Sequence, residues 1–192
     1  MKTILRVVLS AATILLFSAT PLLAEDVPGC PGPFGDHYGF PDPGLFTTDL
    51  ISDEGVKIGE VDAWNTREEL KFVLRPKDDI KLLDVQLWAG DSLSEFTDEF
   101  TKKGKPQFSK FPFVEDLDEL IAGQTYEIVL DFEDLEFNWH GRSHRWNFML
   151  HGGFQKEIEG ELVAQDFIAE GPCIFEDNPQ FQYARILIFH PL

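Results

Sequence analysis

Hydrophobic and polar positions alternate along much of this chain, and the alternation predicts strands. Ile58–Asn65, Leu70–Leu74 and Leu82–Gly90 read as three successive strands. In the third, Leu83, Val85, Leu87 and Ala89 share one face while Asp84, Gln86 and Trp88 take the other, the period-2 pattern of a half-buried strand. Tyr126, Ile128, Leu130 and Phe132 alternate with Glu127, Asp131 and Glu133 in the same way. Trp146, Phe148 and Leu150 predict a further strand ended by Gly152 and Gly153, and Ile158–Ala164 and Ala184–His190 complete a set of six to eight. Ser92 and Glu95 form a capping box ahead of Leu93, Phe96 and Phe100, which suits a helix of about two turns or a folded loop using the same apolar residues. Glu115–Leu120 reads as an acidic loop or a single helical turn. Many short strands without a long amphipathic helix imply an all-β sandwich or barrel, and the expectation is a two-sheet antiparallel β-sandwich.

The ends of the chain change this picture. Lys2 and Arg6, the apolar run Val7–Phe17 and the small residues up to Ala24 have the parts of a secretory signal peptide. The run is shorter than the roughly 20 residues a spanning helix needs, so residues 1–24 are expected to be cleaved, leaving no membrane span and an exported protein, periplasmic or extracellular. Residues 25–48 carry Pro28, Gly29, Pro31, Gly32, Pro33, Pro41, Pro43 and Gly44. Proline fixes φ and lacks a donor, so this stretch is expected as an irregular Pro/Gly-rich arm, laid on the sheet by Phe34, Tyr38, Phe40 and Phe46. Residues 49–192 form the sandwich domain, since a chain of 192 residues suits one domain and a targeting segment.

Cys30 and Cys173 are the two cysteines, and an even count in an exported chain favours a disulfide between them. The formal net charge is −18, and loss of Lys2 and Arg6 with the leader makes it more negative still. Such a field repels nucleic acid and anionic lipid. It serves solubility first; a sharper use is attraction of cations or cationic partners.

Val61-Asp62-Ala63-Trp64-Asn65, Leu70-Lys71-Phe72, Leu87-Trp88-Ala89-Gly90 and Gly104-Lys105-Pro106 followed by Lys110-Phe111-Pro112-Phe113 lie in order within residues 58–113. This succession resembles a recurrent domain of exported prokaryotic proteins, with strands reading V-x-V-W-N, L-x-V and L-x-V-G and a loop ending G-x-P-x-x-F-P-Y. That domain often has a Thr-His pair before L-x-V-G, where this chain has Val85-Gln86. The resemblance implies a secreted β-sandwich-like module, usually without an assigned activity, and supplies no catalytic mechanism.

Three classes of chemistry remain. Trp64 and Trp88 are the candidate ligand-binding residues, because an exposed aromatic row on a sandwich stacks against sugar rings; an aromatic's large apolar area equally favours cover by another layer. His140 and His144, with Asp131 and Asp134, are the candidate transition-metal ligands. His-x-x-x-His shares a face only on a helix, and Gly141 opposes one here. Calcium is the better inorganic candidate in Glu115–Asp118 and Asp131–Glu136, although neither run has a glycine-turned binding loop and a solvated face explains both. No Gly-x-Ser-x-Gly elbow or phosphate-cradling loop is present, and no catalytic residue stands out. The leading expectation is a secreted, non-enzymatic binding module for a glycan or protein, with no cofactor; an exported calcium- or transition-metal-binding protein and a hydrolase are the alternatives.

Overall fold

A computed structural model describes residues 45–137, 139, 143–171, 173–174 and 181–189. Three antiparallel strands open it: β1 (Leu45–Ser52), β2 (Lys57–Asn65) and β3 (Glu69–Pro76). Strict alternation makes β3 a strand, with Leu70, Phe72 and Leu74 fully buried and Glu69, Lys71, Val73 and Arg75 on the opposite face. Residues 45–48, expected as the end of the arm, are the first half of β1 and pair with β2.

β4 (Ile80–Gly90) leads into α1 (Leu93–Phe100), whose N-cap Ser92 accepts a hydrogen bond from the Glu95 amide as the capping box predicts. The two-residue strands β5 (Thr101–Lys102) and β6 (Lys105–Pro106) pair with each other, and a 3-10 turn at Phe108–Lys110 follows. β7 (Phe113–Ile121) occupies the acidic stretch expected as loop or helical turn. It is a strand because β4 supplies its ladder partners, with Leu117 and Leu120 buried and the carboxylates outward. β8 (Tyr126–Asp131) pairs with β3.

The longest strand, β9 (Ser143–Ile158), pairs with β4, with β10 (Glu161–Ala169) and with β11 (Ala184–Phe189). It runs straight through Gly152 and Gly153, expected to end it. Asp84 explains both glycines: a Cβ on Gly152 would lie 2.2 Å from the Asp84 carbonyl oxygen, and one on Gly153 2.8 Å from the Asp84 carboxylate. Glycine here marks a close backbone approach rather than a stop. β9 instead ends at Glu159–Gly160, both at positive φ, the two-residue hairpin geometry that suits strand twist. That turn separates Ile158 from β10, which the alternation had joined.

The described strands form one nine-stranded sheet in the order β7-β4-β9-β10-β1-β2-β3-β8, with β11 on β9, besides the short β5-β6 pair. The expected all-β class holds. The expected two-sheet sandwich is replaced by one sheet curling nearly closed, like a barrel. β7 and β8 are its two ends, joined by a tight turn, and Glu115 on β7 is close enough to help raise the Tyr126 phenol on β8 above its ordinary pKa, after burial. Phe72, Phe148, Phe154 and Phe167 pack inside with the apolar positions of every long strand.

A bulge in β4 corrects its inward face. The pairing with β9 skips between Leu82 and Gln86, so Leu82 joins Val85, Leu87 and Ala89 in the core, while Leu83 is only half-buried. An extra residue in one strand resets the period-2 pattern.

Candidate functional site

Trp64 lies on the outer face of β2. Ladder register places Leu45 beside it on β1 and Lys71 beside it on β3, and Val129 on β8 lies opposite Lys71. Directly opposed residues project to the same side of a sheet, so Leu45, Trp64, Lys71 and Val129 form one row across four strands. Leu45 is 44% exposed and Val129 42%, with Trp64 half-buried between them.

The row is fringed by fixed polar groups. Lys71 Nζ lies 3.0 Å from Glu69 Oε2 and 3.3 Å from Glu127 Oε1, and these hydrogen bonds hold its ammonium above the ordinary lysine pKa. One pleat along, Asp62 accepts from Thr47 Oγ1 at 2.7 Å and is paired with Arg75. Lys57 pairs with Asp49 at 2.8 Å and Glu60 at 2.6 Å. Every one of these cations is thus already engaged by a carboxylate. The face offers apolar surface at Leu45 and Trp64, and again at Val129 beyond the paired Lys71, with oxygen acceptors beside it.

Trp88, the other tryptophan expected at a binding surface, is 5% exposed. It points to the outer side of β4 as the alternation requires, but α1 and the 3-10 turn lie over it. Its ring is 4.8 Å from Phe96 and 6.5 Å from Phe100, and Phe111, Met149 and Phe181 complete the cluster. Cover rather than exposure is the outcome, since a large apolar ring on an open sheet gains most by burial. Trp88 packs α1 onto the sheet and presents no stacking surface.

The expected metal ligands among the described residues do not converge. His140 lies outside the described residues. His144 has its Nε2 3.7 Å from Asp91 Oδ2 and its ring edge-on to Phe137 at 5.2 Å. Asp131 ends β8 opposite Glu69, and Asp134 is exposed in the turn that follows. Among the described residues, no group of three or more His, Cys, Asp or Glu is placed to hold a metal ion. Cys30 also lies outside the described residues, while Cys173 forms an isolated β-bridge with Gln182.

A polar chain that the alternation did not single out crosses the outer face where β4, β9 and β10 meet. The Asp84 carboxylate accepts from the Gly153 amide at 3.2 Å and from Gln86 Nε2. That fixes the Gln86 amide, leaving its Oε1 2.5 Å from His151 Nδ1. An acceptor at that position requires Nδ1 to carry the proton in neutral His151. Nε2 is then the free lone pair, 3.9 Å from Asp166 Oδ2. Phe108 from the 3-10 turn stacks on the imidazole, centroids 3.6 Å apart and planes within 10°. Burial holds His151 below the ordinary histidine pKa, with Asp166 and Asp84 pulling the other way. Asp53 in the β1–β2 turn is raised above the usual carboxylate value by partial burial and then by Asp166. The signal in the sequence was the Gly152-Gly153 pair beside a histidine, which indicates close backbone approach as readily as a strand end.

Elsewhere, Phe132, Phe137, Trp139 and Trp146 pack together at 5.0–6.0 Å, edge to face except for the tilted Phe132–Phe137 pair. Trp146 Nε1 is buried without a conventional acceptor among the described residues, and the Phe137 ring stands nearly perpendicular to its indole at 5.2 Å. Trp139 Nε1 donates to the Arg67 carbonyl at 3.4 Å. These aromatics close the core near the β3–β8 end. Compared with models of known families, with curated proteins and with solved structures, the chain matches none.

Proposed function

We propose that the protein is an exported, non-catalytic binding module that takes a neutral glycan on the outer face of β1, β2, β3 and β8. The observation that carries this reading is the row Leu45, Trp64, Lys71 and Val129, in which an indole lies between exposed Leu45 and the stem of the ion-paired Lys71, with exposed Val129 beyond. A pyranose ring presents C–H groups to such a surface and hydroxyls to its borders. Thr47, Asp62, Glu69 and Glu127 stand where those hydroxyls would find acceptors. An acidic sugar fits poorly, because Lys57, Lys71 and Arg75 are engaged and the net charge of −18 repels polyanions.

The test is titration of the leaderless protein with soluble neutral oligosaccharides by calorimetry, at low and high salt. Binding should persist in salt, since the contacts are apolar and hydrogen-bonding rather than long-range. Trp64→Ala should weaken it by about 2 kcal/mol, roughly thirtyfold, as loss of a central aromatic anchor does. Binding that disappears in salt but ignores the substitution would point to an electrostatic or calcium-mediated role with a protein partner. Metal-dependent turnover of any glycan would overturn the non-catalytic reading.

A further inference from the structure

Asp84, Gln86, His151 and Asp166 lie away from the Trp64 row, on the part of the sheet covered by the 3-10 turn. We infer that this chain of side chains is an acid-sensitive latch, closed when His151 is neutral, which holds the Phe108–Phe111 segment down on β4 and β9. In the closed form Asp84 orients Gln86, Gln86 Oε1 accepts a hydrogen bond from Nδ1–H of His151, and the flat imidazole receives Phe108 face to face. Phe108 in turn lies 5.4 Å from Phe111 and 6.1 Å from Phe181, so the stack ties the turn to the layer that buries Trp88 and Met149.

A proton can enter only at Nε2, because Nδ1 already carries one. It creates a cation beneath a phenyl ring and largely out of water. The charged groups facing the imidazole are Asp84 from β4 and Asp166 from β10, while the covering turn places Phe108 against it. Both carboxylates favour the cation, yet the loss of hydration outweighs them. Lifting Phe108 restores water to the ring, so protonation favours the open form. Each pH unit between the closed-form and open-form pKa changes the open population about tenfold. Acid would therefore expose the apolar layer over β4 and β9 while the closed sheet beneath stays folded.

The experiment is amide hydrogen exchange of the leaderless protein between pH 7.5 and 4.5, corrected for the intrinsic rate. The reporters are the amides of Lys110 and Phe111, which donate to the carbonyls of Gln107 and Phe108; β2–β3 amides serve as the internal control. Wild type should lose protection in the turn as pH falls below about 6.5, the ordinary histidine value, with β2–β3 protected throughout. His151→Gln should show no such pH dependence, whatever its starting protection. Asp166→Asn removes a carboxylate that favours the cation, so the His151 titration followed by NMR should move to lower pH. Unchanged turn protection in wild type, an equal loss in His151→Gln, or β2–β3 amides exchanging as fast as those of the turn would each overturn the latch.

Discussion

Replacing Gly152 by alanine tests the close approach on which the β4–β9 junction depends. The added Cβ would stand 2.2 Å from the Asp84 carbonyl oxygen and 2.6 Å from two ring carbons of Phe167. Neither neighbour can yield cheaply, because the carbonyl belongs to the β4 bulge and Phe167 is fully buried. Gly153 is the internal comparison: its Cβ would meet the Asp84 carboxylate at 2.8 Å, the far end of a side chain that can rotate. Overpacking typically costs about 1–3 kcal/mol. Gly152→Ala should sit at the upper end, lowering Tm by about 6–12 °C for a domain of this size, and Gly153→Ala should cost clearly less. Urea unfolding of both variants, with the midpoint read at constant slope, measures the difference. Equal midpoints, or a milder Gly152→Ala, would show that the bulge does not press on β9 and that the reasoning is wrong.

Val85 is fully buried in the barrel, so Val85→Asp should destabilise by more than about 3 kcal/mol through an unpaired buried charge; unchanged thermal unfolding would refute its inward orientation. Non-reducing mass mapping of exported protein should recover a peptide linked through Cys30 and Cys173, and two free thiols there would dismiss the pairing. Because His151 binds its proton less readily when folded than its ordinary pKa allows, the unfolded chain takes up protons first as pH falls below about 6.5. Stability should therefore drop more between pH 7.5 and 5 in wild type than in His151→Gln, and parallel urea midpoints would contradict this.

Strand positions were legible wherever one face is buried and the other wet, as in β3, because burial there follows the two-residue repeat. Closure was less so. Whether alternating strands form two sheets or one curled sheet depends on who pairs with whom, and β9, which joins β4, β10 and β11, carries no local mark of that role. The alternation does not mark acidic β7, because its ladder comes from β4 and only Leu117 and Leu120 of its residues are buried, with Phe113 packed partly against the core. The bulge at Leu82–Gln86 shifted the inward face by a residue, which a strict alternation cannot register. At the candidate site the sequence favours Trp88 over Trp64, because Trp88 lies on the polar face of the more strictly alternating strand. The cover comes from α1: Phe96 and Phe100 reach Trp88, whereas the ladder around Trp64 carries exposed Leu45 and Val129. The setting of His151 has no local mark, since its partners come from β4, β10 and the 3-10 turn.

Stability and glycan affinity measured on Trp64→Ala and Trp88→Ala together test the central claim most directly. Trp88→Ala should lose about 3–5 kcal/mol of stability, as truncation of a buried aromatic does, with affinity unchanged in the folded fraction. Trp64→Ala should keep most of its stability and lose the ligand. The reverse assignment, with Trp88 needed for binding and Trp64 only for folding, would contradict the account.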